Sequence, residues 1–151
     1  MSLGEEARRN FNSGYNCAES VLLVVSKQSG LPGEVIIPRI ATGFGGGIAR
    51  NGNICGALAG GVAVISLALG RDMSTESRDP CYRAVDQFYN EFLESFGTYR
   101  CRELTGVDLR TPEGRQAYES RIHNQRCNPI VAWAAERAFR IIRDTRRTGA
   151  Q

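Results

Sequence analysis

The chain has 151 residues, 42% of them hydrophobic and 23% charged, which is the profile of one soluble globular domain. A chain of this size buries roughly two thirds of its unfolded surface. The net charge is +3, carried by a single lysine, Lys27, among nineteen basic residues, and the acidic residues are interspersed almost throughout. No basic face for nucleic acid results. The N-terminal MSLGEEARRN lacks the apolar core of a secretory signal, so the expected compartment is the reducing cytoplasm. The one membrane candidate, Ile54 to Leu69, is shorter than the ~18–20 residues of a span and is diluted by glycine and alanine.

In chain order, Glu5 to Asn12 reads as a short amphipathic helix with Ala7 and Phe11 inward, ended by Ser13-Gly14. Asn16 caps a second helix from Cys17 to about Gln28, and Glu19 completes a capping box. A turn at Ser29–Gly33 leads to a short piece, Glu34 to Ala41, interrupted by Pro38. After a glycine-rich turn comes the apolar stretch Ile54–Leu69, expected as a buried central helix whose small residues admit close neighbours. Thr75 or Asp79 starts a long amphipathic helix with an aromatic stripe from Tyr82 to Phe96, stopped by Gly97. Thr98 caps a short helix, Tyr99 to Leu104; Thr111-Pro112 opens another toward Ile122; Asn128-Pro129 starts the last. From Arg143 onward a frayed polar tail is expected. No stretch shows period-two alternation, so the class is all-α: a compact bundle of five to seven helices around the 54–69 helix, in one domain spanning 1–151.

The chemistry concentrates in the cysteines and the glycine-rich turn. Cys17, Cys55, Cys101 and Cys127 each fall at the N-terminal end of a predicted helix, where the partial positive charge favours the thiolate. Cys81 shares that placement, so position alone does not separate site cysteines from packed ones. No Cys-x-x-Cys pair occurs, which removes the local signature of zinc or thioredoxin-like sites. Gly45, Gly46 and Gly47, with Gly56 after Cys55, offer backbone N–H groups that suit a nest around an anionic cluster better than a dinucleotide fingerprint.

Four stretches carry a resemblance: Asn16-Cys17-Ala18-Glu19, Cys55-Gly56-Ala57-Leu58-Ala59-Gly60, Cys101-Arg102-Glu103-Leu104-Thr105-Gly106, and the late Cys127. Together they resemble the redox-active proteins known by the motif C_GCAxxG_C_C, over about residues 5 to 142. The resemblance implies a small helical protein whose characteristic cysteines are Cys17, Cys55, Cys101 and Cys127, with Cys81 structural. It also implies kinship with a domain of the split-Soret cytochromes, associated there with an iron–sulfur centre and a dimer. This chain has no Cys-x-x-Cys-His, so the haem part is missing.

His123, the one histidine, lies four residues before Cys127 and is an accessory candidate as base or ligand. Its neighbours Arg121, Asn124 and Arg126 fit a surface residue equally well. The expectation is therefore a four-cysteine redox site holding an iron–sulfur cluster or another thiophilic metal such as zinc, or cycling between dithiol and disulfide. Its counterparts would be a redox partner and a second copy in a homodimer. The alternative is a non-catalytic helical interaction module whose cysteines only pack.

Overall fold

The computed structural model describes residues 1–33 and 36–149. Its elements are α1 (Leu3–Asn12), α2 (Cys17–Gln28), α3 (Ile36–Ala41), a 3-10 turn (Thr42–Phe44), α4 (Gly56–Leu69), α5 (Asp79–Phe96), α6 (Cys101–Thr105) and α7 (Pro112–Ala117). A π-helical segment (Tyr118–Cys127) and α8 (Asn128–Arg147) complete them. Among the described residues there is no strand, and Ile54 and Arg100 form an isolated antiparallel bridge. The fold is all-α.

Local chemistry sets most of the boundaries. Ser2 and Asn16 begin α1 and α2 with full capping boxes, Glu5 and Glu19 reaching back to the cap N–H groups. Pro80 and Pro112 sit in the first turns of α5 and α7, where a missing N–H costs nothing. Gly97 and Gly106 close α5 and α6 in the left-handed conformation that glycine adopts freely. The piece expected from Glu34 is a helix over Ile36–Ala41; its first two residues lie outside the described ones.

The core is a stack of α2, α4 and α8, with α1 against α8 and α2, and α5 against α4. Val21, Val25, Leu58, Val64, Ile65, Val131, Ala134 and Ala138 are completely buried there. Glycine allows the close approach of α2 and α4: a Cβ at Gly60 would lie 2.6 Å from the carbonyl oxygen of Ala18. At the next residue, the Phe88 ring of α5 covers Gly61. Trp133 of α8 gathers Phe88, Phe92 and Phe96 at ring-centroid distances of 5.8, 5.7 and 5.3 Å. The apolar α4 is not enclosed on every side, however. Its neighbours α2, α5 and α8 leave one flank open, and Leu67 there is 49% exposed.

Two expectations about the C-terminal region need correction. The helix opened by Thr111 does not stop near Ile122; it widens into the π segment and runs directly into α8. The change of register falls just before Pro129, whose missing N–H could not continue the earlier ladder. Likewise α8 does not fray at Arg143 but continues to Arg147. Arg146 donates to the Ser29 carbonyl at 2.9 Å, placing a cation at the C-terminal end of α2. Asn128 is buried and donates to Asn12 Oδ1 at 2.9 Å and Asn124 Oδ1 at 2.8 Å, tying α1 and the π segment to α8.

Candidate four-cysteine site

Cys17 opens α2 immediately after its cap. Asn16 Oδ1 accepts the Glu19 N–H at 2.9 Å, and Asn16 Nδ2 donates to the Thr42 carbonyl at 2.9 Å. Thr42 Oγ1 donates in turn to Glu19 Oε1 at 2.6 Å. The start of the glycine-rich turn is thus fastened to the cap that presents Cys17.

From there the backbone does something unusual. Gly46, Gly47, Ile48, Ala49 and Arg50 have φ values of 66, 71, 64, 48 and 67°, five consecutive left-handed residues of which three carry side chains. L-residues visit this region as single residues, at roughly 1–2 kcal/mol each. Backbone bonds from Arg50 N–H to the Gly45 carbonyl (3.2 Å) and from Asn53 N–H to the Gly47 carbonyl (2.9 Å) brace the run.

Next to it a short ladder sets Cys55 beside Cys101. Cys55 N–H donates to the Tyr99 carbonyl at 2.8 Å, and Cys101 N–H to the Asn53 carbonyl at 2.7 Å. A Cβ on Gly47 would lie 2.6 Å from Cys101 Cβ, so no larger residue fits that seam. Gly56 leaves room for Cys17: a Cβ there would collide with Cys17 Sγ. Gly45 instead packs against the Asn16 side chain. Cys127 ends the π segment, on the far side.

The four side chains meet around one space. Cys17, Cys55, Cys101 and Cys127 all line a cavity of about 30 Å³, together with Gly46, Gly56, Tyr118 and apolar side chains from α6 and α8. Cys81 is elsewhere, buried between α5 and α4 with its Sγ 3.8 Å from Ser66 Oγ. All five are free thiols.

Residues 15–141 match the model of the family described as "Putative redox-active protein (C_GCAxxG_C_C)". The chain belongs to this family. It is also similar to a protein of Archaeoglobus fulgidus described as "Uncharacterized protein", with 29% identity over 157 residues, covering 95% of this chain and 98% of the relative. No solved structure matches.

The electrostatics of this C_GCAxxG_C_C site run opposite to the expectation from helix N-termini. Burial pushes the Cys17 and Cys55 thiols up from their ordinary value, and Cys101 and Cys127 up to about 12. The neighbouring thiols add to the rise: charge on Cys17 opposes charge on each of the other three. Backbone N–H groups of Gly46, Ala18 and Gly56 near the Cys17 sulfur favour its thiolate, but desolvation outweighs them. A helix terminus lowers a thiol's pKa where water or a cation also helps; four thiols around one buried cavity repel one another's charge.

Tyr118 is the site residue that sequence reasoning missed. It lines the cavity with Cys127, and burial, followed by the charge of the surrounding thiols, holds the phenol well above its ordinary range. Tyr118 and Cys127 stand at the two ends of the π segment, and nothing in the composition of that stretch announces its wide register. A π-helix at a functional position is a recurring association.

His123 is not part of the cavity wall. Its ring stacks on Phe11 with centroids 3.9 Å apart and meets Tyr118 edge-on at 5.5 Å. It packs the π segment onto α1 and makes no bond to Cys127 among the described residues.

The donor set fits a soft metal centre, since four thiols are the ligands of iron–sulfur clusters. Among the described residues, no three His, Cys, Asp or Glu side chains converge closely enough to hold a single ion. The thiols surround a space rather than a point. A cavity of about 30 Å³ has the room of one water molecule, so seating a cluster requires the thiols to move outward. Among the described residues no helix is long and apolar enough to cross a membrane.

Proposed function

We propose that this chain is an electron-transfer protein in which Cys17, Cys55, Cys101 and Cys127 hold an iron–sulfur cluster. The observation that carries the reading is that four thiols from four separate parts of the chain line one cavity, while the fifth cysteine packs elsewhere. The family description, redox-active, supports it at the coarser level.

Three features of the chain suit this role. The cavity is walled by Ala57, Leu104, Leu109, Ile130 and Val131, which keep water from the sulfurs. Backbone N–H groups from Gly46 and Gly56 are already directed at Cys17 Sγ, and Tyr118 meets Cys127 Sγ, so charge on these two sulfurs finds fixed donors. The left-handed run holds Gly46 against the cavity without a side chain in the way. A bound cluster would supply reversible one-electron transfer, its potential set by such hydrogen bonds and by exclusion of solvent. A redox partner then exchanges the electron at the surface.

Three rival readings are less well supported. Dithiol–disulfide cycling needs an attacking thiolate, and burial keeps all four thiols protonated at neutral pH. An interaction module with merely packed cysteines has no physical need to line one cavity with four of them. A single-ion zinc site lacks converging ligands.

The test is anaerobic purification followed by iron and sulfide analysis and a visible spectrum. Iron and sulfide in the wild type and in Cys81→Ala, but lost from Cys55→Ser, is the expected result. Colourless, iron-free wild-type protein after reconstitution with iron and sulfide would sink the proposal.

A further inference from the structure

A second hollow lies directly outside the cysteine cavity. It has a volume of about 440 Å³, and Gly46, Leu109 and Tyr118 belong to the walls of both. Its charged lining consists of Arg50, Arg115 and one opposing carboxylate, Glu119. Two guanidinium groups against one carboxylate leave the hollow positive.

These arginines are not consumed by the fold. Arg115 donates one Nη1 hydrogen bond to the Leu109 carbonyl at 3.1 Å, which anchors the group and leaves the rest of its five-donor fork available. Arg50 makes no side-chain hydrogen bond or ion pair among the described residues, in contrast to Arg102 and Arg110, which both close on Asp108. The other polar side chains of the wall, Asn16 and Thr42, are spent on the cap of α2. Arg50 also ends the left-handed run, so its backbone is held in a costly conformation at this edge.

We propose that this hollow binds the oxyanionic group, carboxylate or phosphate, of a small molecule, with Arg50 and Arg115 as its clamp. Planar guanidinium forks match such groups in a bidentate way that a lysine cannot. The volume is that of a small-molecule site rather than of a protein interface. Anion binding stands on the hollow alone; a role for the bound molecule as the electron donor or acceptor rests on the four-cysteine reading above.

The experiment is calorimetric titration of the full chain at low ionic strength with inorganic phosphate and, separately, with succinate. Saturable binding of at least one of them is expected, weakened about tenfold or more in Arg50→Gln. Arg83→Gln, on an exposed part of α5 and identical in charge change, should leave it intact. Arg115→Lys, which keeps the charge but not the fork, should also weaken it. Phosphate alone binding assigns a phosphate-bearing ligand, and succinate alone a carboxylate. Absence of saturable binding for both, or equal losses in Arg50→Gln and Arg83→Gln, overturns the proposal. Iron-free wild type with Arg50-dependent binding would keep the hollow and remove the cluster, and the opposite pattern would do the reverse.

Discussion

Around Val64 and Ala138 the molecule is regular helix packed on regular helix, with its side chains fully buried. Around Cys17 and Cys55, a few turns away, the backbone departs from regularity twice, in the left-handed run at Gly46–Arg50 and in the π segment Tyr118–Cys127. The first region gains free energy from burial; the second spends it. Three side-chain-bearing left-handed residues cost about 3–6 kcal/mol together. Four thiols and a phenol sit there in one desolvated space. Strain and buried polar groups persist where surrounding structure holds them in place, and here the α2–α4–α8 stack does so. The pairing is that of a stabilising scaffold and the strained, thiol-lined region it holds in place.

The largest expected effect is on pH. The unfolded thiols titrate near 9, whereas burial, then charge on Cys17, holds Cys101 at about 12, and burial, then charge on Cys17 and Cys101, holds Cys127 there. Below about pH 9 both states keep the protons and stability is flat. Above it the unfolded chain releases them first, so the metal-free protein should lose stability steadily from about pH 9 to about 12. Urea melts across that range check this; stability unchanged to pH 11 would mean the thiols are not buried together.

Phe88→Ala, which empties the space over Gly61 in the scaffold, should lower stability by about 3–5 kcal/mol in chemical denaturation. Folded protein should still show four slow thiols towards alkylation, because the cavity lies at the other region. The converse comes from relaxing the site. Ile48→Gly removes a left-handed strain at a residue 42% exposed, and should raise stability by about 1 kcal/mol. A loss instead would show that Ile48 contributes packing worth more than its strain. The smallest effect on stability belongs to Tyr118→Phe. Because the neighbouring phenol favours the Cys127 thiolate, its removal should move alkylation of Cys127 to still higher pH, as read by mass spectrometry.

Much of the fold was legible in local signals. Asn16 with Glu19, Thr111 with Pro112, and Gly97 or Gly106 after a periodic run each mark a boundary by satisfying or ending a backbone ladder. Small residues in Gly56–Leu69 marked the helix that others approach closely. The π segment was not legible, because its widened register answers a tertiary demand: Tyr118 and Cys127 on the cavity, His123 on Phe11, and Pro129 behind. Nor was the left-handed run, since Ile48, Ala49 and Arg50 have no intrinsic preference for positive φ. Thiol ionisation is not legible in the sequence for the same reason. A helix start is visible in sequence, whereas desolvation by residues 40 to 110 positions away is not.

An all-α chain of the C_GCAxxG_C_C family is readable from the residues alone, with Cys17, Cys55 and Cys101 at helix starts; Cys127, expected at one too, lies inside a helix that runs from the π segment into α8. Folding through space is what brings Cys17, Cys55, Cys101 and Cys127 to one cavity, adds Tyr118 to its wall and leaves Arg50 and Arg115 outside it. Capping and periodicity act within a few residues and can be read along the chain. Desolvation and repulsion between thiols depend on distances through space, which only the packing of α2, α4 and α8 sets.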